Sequence, residues 1–202
     1  MGKIKFTKTE LKHQQDAKKQ FERFLPTLQL KKQQLQLEVR QSADALEKNL
    51  RAQEKLKADL EATMAFFSDS DIVDLLEETL SVDHVEKGEA NIAGINIPTF
   101  QKVVFAESKV DYFATEWFFD DALEVMRQAI ALREEYNVIA VQHQLLSDEL
   151  NTTSQRVNLF EKVKIPECRE NIRRIGIMLG DAQTAAVARS KIAKKKSASA
   201  IA

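Results

Sequence analysis

The chain has 202 residues, with 30 Lys or Arg against 31 Asp or Glu and a net charge of −1, which speaks against a generally basic nucleic-acid binder. Its 44% hydrophobic share is globular-like, whereas 30% charged residues with only five Gly and three Pro mark a largely helical, surface-rich protein. The single cysteine, Cys168, excludes an internal disulfide framework and fits a reducing compartment, and three scattered histidines cannot complete a Cys/His-only zinc site with it. No apolar run approaches the ~18 residues that span a bilayer. The polar start MGKIKFTKTELKHQQ has no apolar signal core, which predicts a cytoplasmic chain.

From Lys3 to Lys87 there is no glycine, and Pro26 is the one proline. A second glycine-free stretch, 95–175, is broken by Pro98 near its start and Pro166 near its end. Two arms around a short centre are predicted: an N-terminal coiled-coil arm over 1–67, a central foot over 68–115, and a C-terminal coiled-coil arm with a basic tail over 116–202.

With Leu11 as heptad position a, the first arm places Leu11, Lys18, Leu25, Lys32, Val39 and Leu46 at a, and Gln14, Phe21, Leu28, Leu35, Ser42 and Asn49 at d. Seven of these twelve are apolar, which describes an imperfect coiled coil. A shift of register is expected near Leu50, continuing as Leu56, Leu60 and Met64. Pro26 is expected to bend this helix or disturb its early turns.

In the centre, Ser68 and Asp71 read as a capping pair for a short helix carrying Ile72, Val73, Leu75, Leu76 and Leu80. The segment NIAGINIPTFQKVVF (91–105) reads as a β-hairpin with strands near 91–97 and 101–106 around a Pro98-Thr99 break. The run DYFATEWFF (111–119) reads as a local core joining hairpin and short helix to the base of the arms, or as a docking surface.

In the second arm, Leu132, Tyr136, Ile139, His143, Leu146, Leu150, Thr153, Val157 and Phe160 alternate in steps of four and three, and seven of the nine are apolar or aromatic. A helix over 116–190, interrupted or bent at Pro166, is predicted. Such a stripe needs cover in water, and each arm supplies the other's. The fold class is therefore mainly α, a long antiparallel two-helix coiled coil with a short central helix and a β-hairpin. About 55–60 paired residues would make a rod of roughly 80–90 Å. The polar seam residues Lys18, Lys32, Asn49 and Thr153 restrict register at a cost in stability.

Charge is unevenly spread: residues 1–67 carry +5, residues 68–124 carry −11 and residues 125–202 carry +5. An antiparallel hairpin of helices would thus have a basic tip and an acidic foot, each suited to a different partner. The run 189–196 adds five positive charges and no acid, and reads either as a solvated, frayed end or as a partner-facing segment.

No phosphate-binding glycine loop, HExxH, CxxC or GxSxG occurs. Adjacent acids such as Glu77-Glu78, Asp120-Asp121 and Glu134-Glu135 point in different directions on a helix and make poor working pairs. His143 occupies a seam position and is expected to be a partly buried, hydrogen-bonded imidazole. His13 and His84 are expected to be exposed, and Cys168 to be a spectator. No catalytic, cofactor-binding or metal site is predicted.

The string RVNLFEKVKIP (156–166) resembles the C-terminal signature of the D-subunit family of V-type and archaeal-type rotary ATPases, on Arg156, Val157, Asn158, Glu161, Val163, Ile165 and Pro166. The stretch Asn171-Ile172-Arg173-Arg174-Ile175 and the basic run 189–196 are similar to the Ile-rich stretch and basic tail that come after that signature in the family. Thr7-Lys8-Thr9-Glu10-Leu11 and Leu28-Gln29-Leu30-Lys31-Lys32-Gln33-Gln34-Leu35 resemble its opening and its leucine/lysine block. Phe21 to Pro26 stand where the family commonly has a glycine, and GINIPTF resembles its bacterial branch.

The resemblance implies a non-catalytic central-stalk rotor subunit, with those seven signature residues as its interaction candidates. It would couple ATP synthesis or hydrolysis in a hexamer of catalytic A and B subunits (A3B3) to proton or sodium transport. Its implied partners are that hexamer, the F subunit of the stalk, and the connector to the membrane ring (the d or C subunit). Its implied place is the cytoplasmic sector, peripheral to the plasma membrane, with no cofactor, no nucleic acid and no membrane insertion. Two other readings use similar arms. A flagellar J-type export-ATPase adaptor would need no β-hairpin, and a prefoldin-like chaperone would be shorter and would not explain the 156–166 string.

Overall fold

The computed structural model describes residues 4–63, 79–106 and 119–201, and the side chains of these except 61–63 and 198–201. The expected short helix from Ser68 to Leu80 and the aromatic run 111–119 lie outside the described residues, save Thr79, Leu80 and Phe119. Elements follow in the order α1 (Lys8–Thr63), β1 (Val82–Ile92), β2 (Ile95–Phe105), α2 (Phe119–Leu159), a π-helical turn (Phe160–Lys164) and α3 (Ile165–Ile201). The mainly α architecture with one antiparallel hairpin is the one the residue patterns imply. Packing groups the chain into two units, Gln33–Asn151 and Met1–Lys32 with Thr152–Ala202.

Helix α1 starts where Thr7 caps it, its hydroxyl accepting from the Glu10 N–H at 3.2 Å and its carbonyl from the Leu11 N–H at 3.0 Å. All twelve heptad positions from Leu11 to Asn49 are protected from solvent. The expected shift near Leu50 does not occur. Leu50 is 43% exposed, and the protected positions continue through Gln53, Leu56 and Leu60 without a break in the three-four alternation. Gln53 fills a seam site because its amide is satisfied there, donating to Asn49 Oδ1 (2.6 Å) and to the Leu132 carbonyl (3.3 Å). Helicity continues through Pro26.

Within the unit Gln33–Asn151, α1 and α2 run antiparallel. Ser42 meets His143, Asn49 meets Glu135 and Gln53 meets Leu132, so residue numbers on one helix rise as those on the other fall. The hairpin is a third layer on this pair. Leu35, Leu146 and Ile97 form its buried centre, with Val39, Leu150, Ala90, Ile92, Ala93 and Ile95 packed around them. Fully burying such an aliphatic side chain contributes about 1.5–3 kcal/mol.

The turn of the hairpin lies at Ala93-Gly94, which corrects the expected break at Pro98-Thr99. Ala93 (φ 52°) and Gly94 (φ 82°) both take left-handed backbone, as a two-residue hairpin loop requires, and Asn91 Oδ1 accepts from the Gly94 N–H at 3.2 Å. Pro98 sits inside β2 opposite Glu89. A two-stranded sheet has only edge strands, so a residue without an N–H is tolerated where that N–H would face away from the partner. The strands are also longer than the expected 91–97 and 101–106, and the register shifts twice, between Val82 and His84 with the extra residue on β1 and between Glu86 and Lys87 with the extra residue, Gln101, on β2.

The hairpin extends well beyond the base of α2. The Arg127 guanidinium lies over the Phe105 ring at 5.4 Å, Gln142 Nε2 donates to the Pro98 carbonyl, and Ile97 shares a buried cluster with Leu146. About eight strand residues cover roughly 26 Å and about 19 helical residues roughly 28 Å, so strand and helix keep pace along this face.

Within the other unit, the start of α1 pairs with the end of α2 and with α3. Gln14 accepts from Asn171 Nδ2 at 3.4 Å, Glu22 accepts from Arg169 Nη2 at 3.3 Å, and the Phe21 and Phe160 rings lie 4.9 Å apart. The predicted interruption near Pro166 takes the form of the π turn, in which the Ile165 N–H reaches back to the Phe160 carbonyl. Pro166 has no N–H to give to the preceding turn and its ring crowds the carbonyl four residues back, so a wider turn relieves the clash. The basic run 189–196 is helical and exposed along its length, α3 continuing as far as Ile201.

Candidate functional surface

The 156–166 string is built on the end of α2, the π turn and the start of α3. Its seven candidate residues divide by direction. Val157 and Ile165 are buried, while Arg156, Asn158, Glu161, Val163 and Pro166 are exposed, Val163 to 49%. The string thus performs two tasks at once, two members closing the seam and five displayed outward.

The π turn explains how both are met. Before it, the seam runs through Leu146, Leu150, Thr153, Val157 and Phe160; after it the apolar seam runs through Ile165, Cys168, Ile172, Ile175 and Leu179, with Asn171 buried beside Ile172. The second set falls one residue later than the three-four alternation would place it. A π turn takes in about one residue more than an α turn, so the extra residue is absorbed and the seam returns to α1. Without it the continuation would pass through Lys164, Glu167, Asn171, Arg174 and Met178, a mostly charged or polar stripe.

Side-chain chemistry around the string is structural. Cys168 is buried at the seam, and burial pushes its thiol above the ordinary 9.0, with the Glu167 carboxylate adding to the effect while Lys164 and Lys18 oppose it. A thiol held protonated is a poor nucleophile, in line with a spectator role. Glu170 accepts from Arg173 Nε and Nη2 (2.9 and 2.8 Å) and from Arg174 Nε (2.8 Å). Hydrogen bonds from Arg173 and then Arg174 lower its carboxyl from 4.5 to about 2. From Gly176 to Ser197 only Leu179 is even partly covered, so α3 presents its basic run on a bare helix.

The polar seam residues have partners. The Ser42 hydroxyl donates to the Val39 carbonyl (2.9 Å) and lies 2.9 Å from His143 Nδ1, making His143 the partly buried, hydrogen-bonded imidazole expected. Asn49 Nδ2 donates to Glu135 Oε2 at 2.9 Å, while the neighbouring Glu134 accepts from Asn137 instead, so these adjacent acids face different ways. His13 and His84 are exposed. An open groove of about 370 Å³ is lined by Leu50, Gln53, Leu56, Leu60, Ala129 and Arg133, among others. Among the described residues no group of three His, Cys, Asp or Glu is placed to hold a metal ion, and no helix is long and apolar enough to cross a membrane.

Residue types alone do not reveal the Phe21–Phe160 contact, the Glu22–Arg169 bridge, the Gln142 bond to the hairpin or the π turn. The π turn does leave a trace: from Phe160 the apolar spacing loses its alternation, with Ile165 and Cys168 standing one place late.

Residues 10–195 match the family model described as the ATP synthase D subunit. The chain is 44% identical over 195 residues to the V-type ATP synthase D subunit of Borreliella burgdorferi, covering 96% of this chain and 95% of that one. It is 32% identical over 195 residues to the protein of that name from Chlamydia caviae (96% and 94% covered), and 31% identical to that of Chlamydia trachomatis serovar L2 (96% of both).

Proposed function

The chain belongs to the D-subunit family of ATP synthases, the central-stalk subunits of the V-type enzymes, and on that premise we propose that it works as a non-catalytic rotor shaft. ATP is bound and turned over by catalytic A and B subunits arranged as an A3B3 hexamer, into which the two chain termini insert. The F subunit of the stalk and the connector to the membrane ring (the d or C subunit) hold the other part of the chain. The assembly is peripheral to the cytoplasmic face of the plasma membrane. Rotation exchanges the affinities of the three catalytic interfaces, and the exchange is driven by hydrolysis in one direction and by a proton or sodium gradient in the other.

One observation carries this reading. Five of the seven signature residues, Arg156, Asn158, Glu161, Val163 and Pro166, are displayed outward from a helix pair whose own packing uses only Val157 and Ile165. An asymmetric outer face is what a shaft needs, because coupling requires contact energies that differ between the states of the surrounding subunits. The bare, basic end of α3 supports insertion into a larger body. The Val82–Phe105 hairpin speaks against an export-ATPase adaptor.

Reconstitution with the A and B subunits tests the proposal. Alanine at Arg156, Glu161 and Val163 together should leave the chain's own thermal stability within about 1 kcal/mol, as exposed sites do. It should lower ion pumping per ATP hydrolysed. Unchanged pumping and hydrolysis, or failure of the wild-type chain to copurify with the A and B subunits, would overturn it. Removal of residues 190–202 should likewise reduce coupling if that end reaches the hexamer.

A further inference from the structure

The two long helices carry main-chain defects at one and the same level. On α1, Pro26 lies inside the helix and leaves the Glu22 carbonyl without its N–H donor. Opposite it, the π turn Phe160–Lys164 leads straight into Pro166. The level is set by side chains: the Phe21 ring packs on Phe160, and the carboxylate of Glu22 itself bridges to Arg169. Elsewhere among the described residues α1 and α2 run without proline, and their seams keep strict alternation.

We propose that this level, Pro26 on one helix and residues 160–166 on the other, is the bending joint of the helix pair. A helix resists bending because each turn is tied to the next by hydrogen bonds, and kinks arise where proline or a π turn removes or misaligns them. A defect on one helix alone would be splinted by an intact neighbour packed against it. Two at one level remove the splint. The surroundings are also weak in apolar cover: no residue of the π turn is buried, and Glu161, Lys162 and Val163 are exposed. Ile165, directly before a proline, is held at φ −66° and ψ −48°, a conformation disfavoured ahead of that ring. The ring contact and the Glu22–Arg169 bridge tie the level together, side-chain links that keep the helices in register while main-chain bonds stretch. The inference rests on backbone geometry and holds or fails independently of the stalk assignment.

Amide hydrogen exchange on the full chain tests it. The amides of 161–165 should exchange at least about ten-fold faster than those of 146–150 and 171–175, since local opening is easiest where few buried contacts hold the ladder. Pro26→Ala, which restores a donor to α1, should slow exchange at 161–165 on the other helix by about three-fold or more. Pro166→Ala should in turn slow exchange at 24–30. Both variants remove a helix breaker and so retain the fold. Equal protection at all levels would overturn the joint. So would variants that alter only their own helix, because the defects would then act separately.

Discussion

The helix pair is built differently in its two units. Where the hairpin lies on it, α1 contributes buried residues, Leu35, Ser42 and Asn49, and the centre is a three-layer contact of Leu35, Leu146 and Ile97. In the unit of Met1–Lys32 with Thr152–Ala202, none of the described α1 residues is buried. The burial there belongs to Thr153, Val157, Ile165, Cys168, Asn171 and Ile175 on the opposing side. Two helices alone cover only a stripe of each other, and a third element closes the sides. The first unit gains a core from tertiary cover, and the second relies on register, which is why an inserted residue there had to be absorbed by a π turn.

Removing the core should give the largest effect. Leu146→Ala with Leu150→Ala deletes one fully and one partly buried side chain, and should cost several kcal/mol by the usual large-to-small scale, read by chemical denaturation. In the assembled complex it should uncouple pumping from hydrolysis before hydrolysis is lost. Normal stability would show that the hairpin-covered layer is no core.

Ile97→Ala and Ile175→Ala sharpen the comparison, at about 2–4 kcal/mol each. Ile97→Ala should speed amide exchange at Leu35 and Val39 and leave alkylation of Cys168 slow. Ile175→Ala should accelerate that alkylation and leave Leu35 protected. Identical responses would mean that the units do not differ in the way described.

A smaller effect is expected at Gly88, where a Cβ would stand 2.7 Å from Thr99 Oγ1 and 2.9 Å from Gln101 Nε2. Gly88→Ala should lower stability by about 1 kcal/mol, the typical scale of single substitutions, with the loss seen at the hairpin.

The smallest effect concerns pH. The folded carboxyl of Glu170 titrates at about 2, below its ordinary 4.5, so its stabilising contribution is complete above about 4.5 and is lost as pH falls through 2. An NMR titration should find that midpoint. Arg173→Gln with Arg174→Gln should return it towards 4.5 with little change in stability at neutral pH, because the group is exposed.

Much of this is legible in the residues. The twelve heptad positions from Leu11 to Asn49, the alternation from Leu132 to Phe160 and the hydrogen-bonded His143 follow from spacing and residue type. These are local or periodic properties, dictated by how many residues make a turn. The errors have a common origin. Hydrophobicity favours Leu50 over Gln53 at the seam because it cannot see an amide satisfied by a partner 79 residues away. Pro98 reads as a turn residue because its tolerance within a strand depends on β2 having, among the described residues, one neighbour only.

By itself the sequence determined two amphipathic helices, a hairpin between them and the absence of familiar catalytic motifs, since periodicity and motif are written along the chain. The tertiary structure decided where the hairpin lies, which polar groups enter the seam and how the extra residue before Pro166 is accommodated. Those outcomes depend on which surfaces meet across long stretches of chain, and the free energy of such contacts belongs to both partners at once.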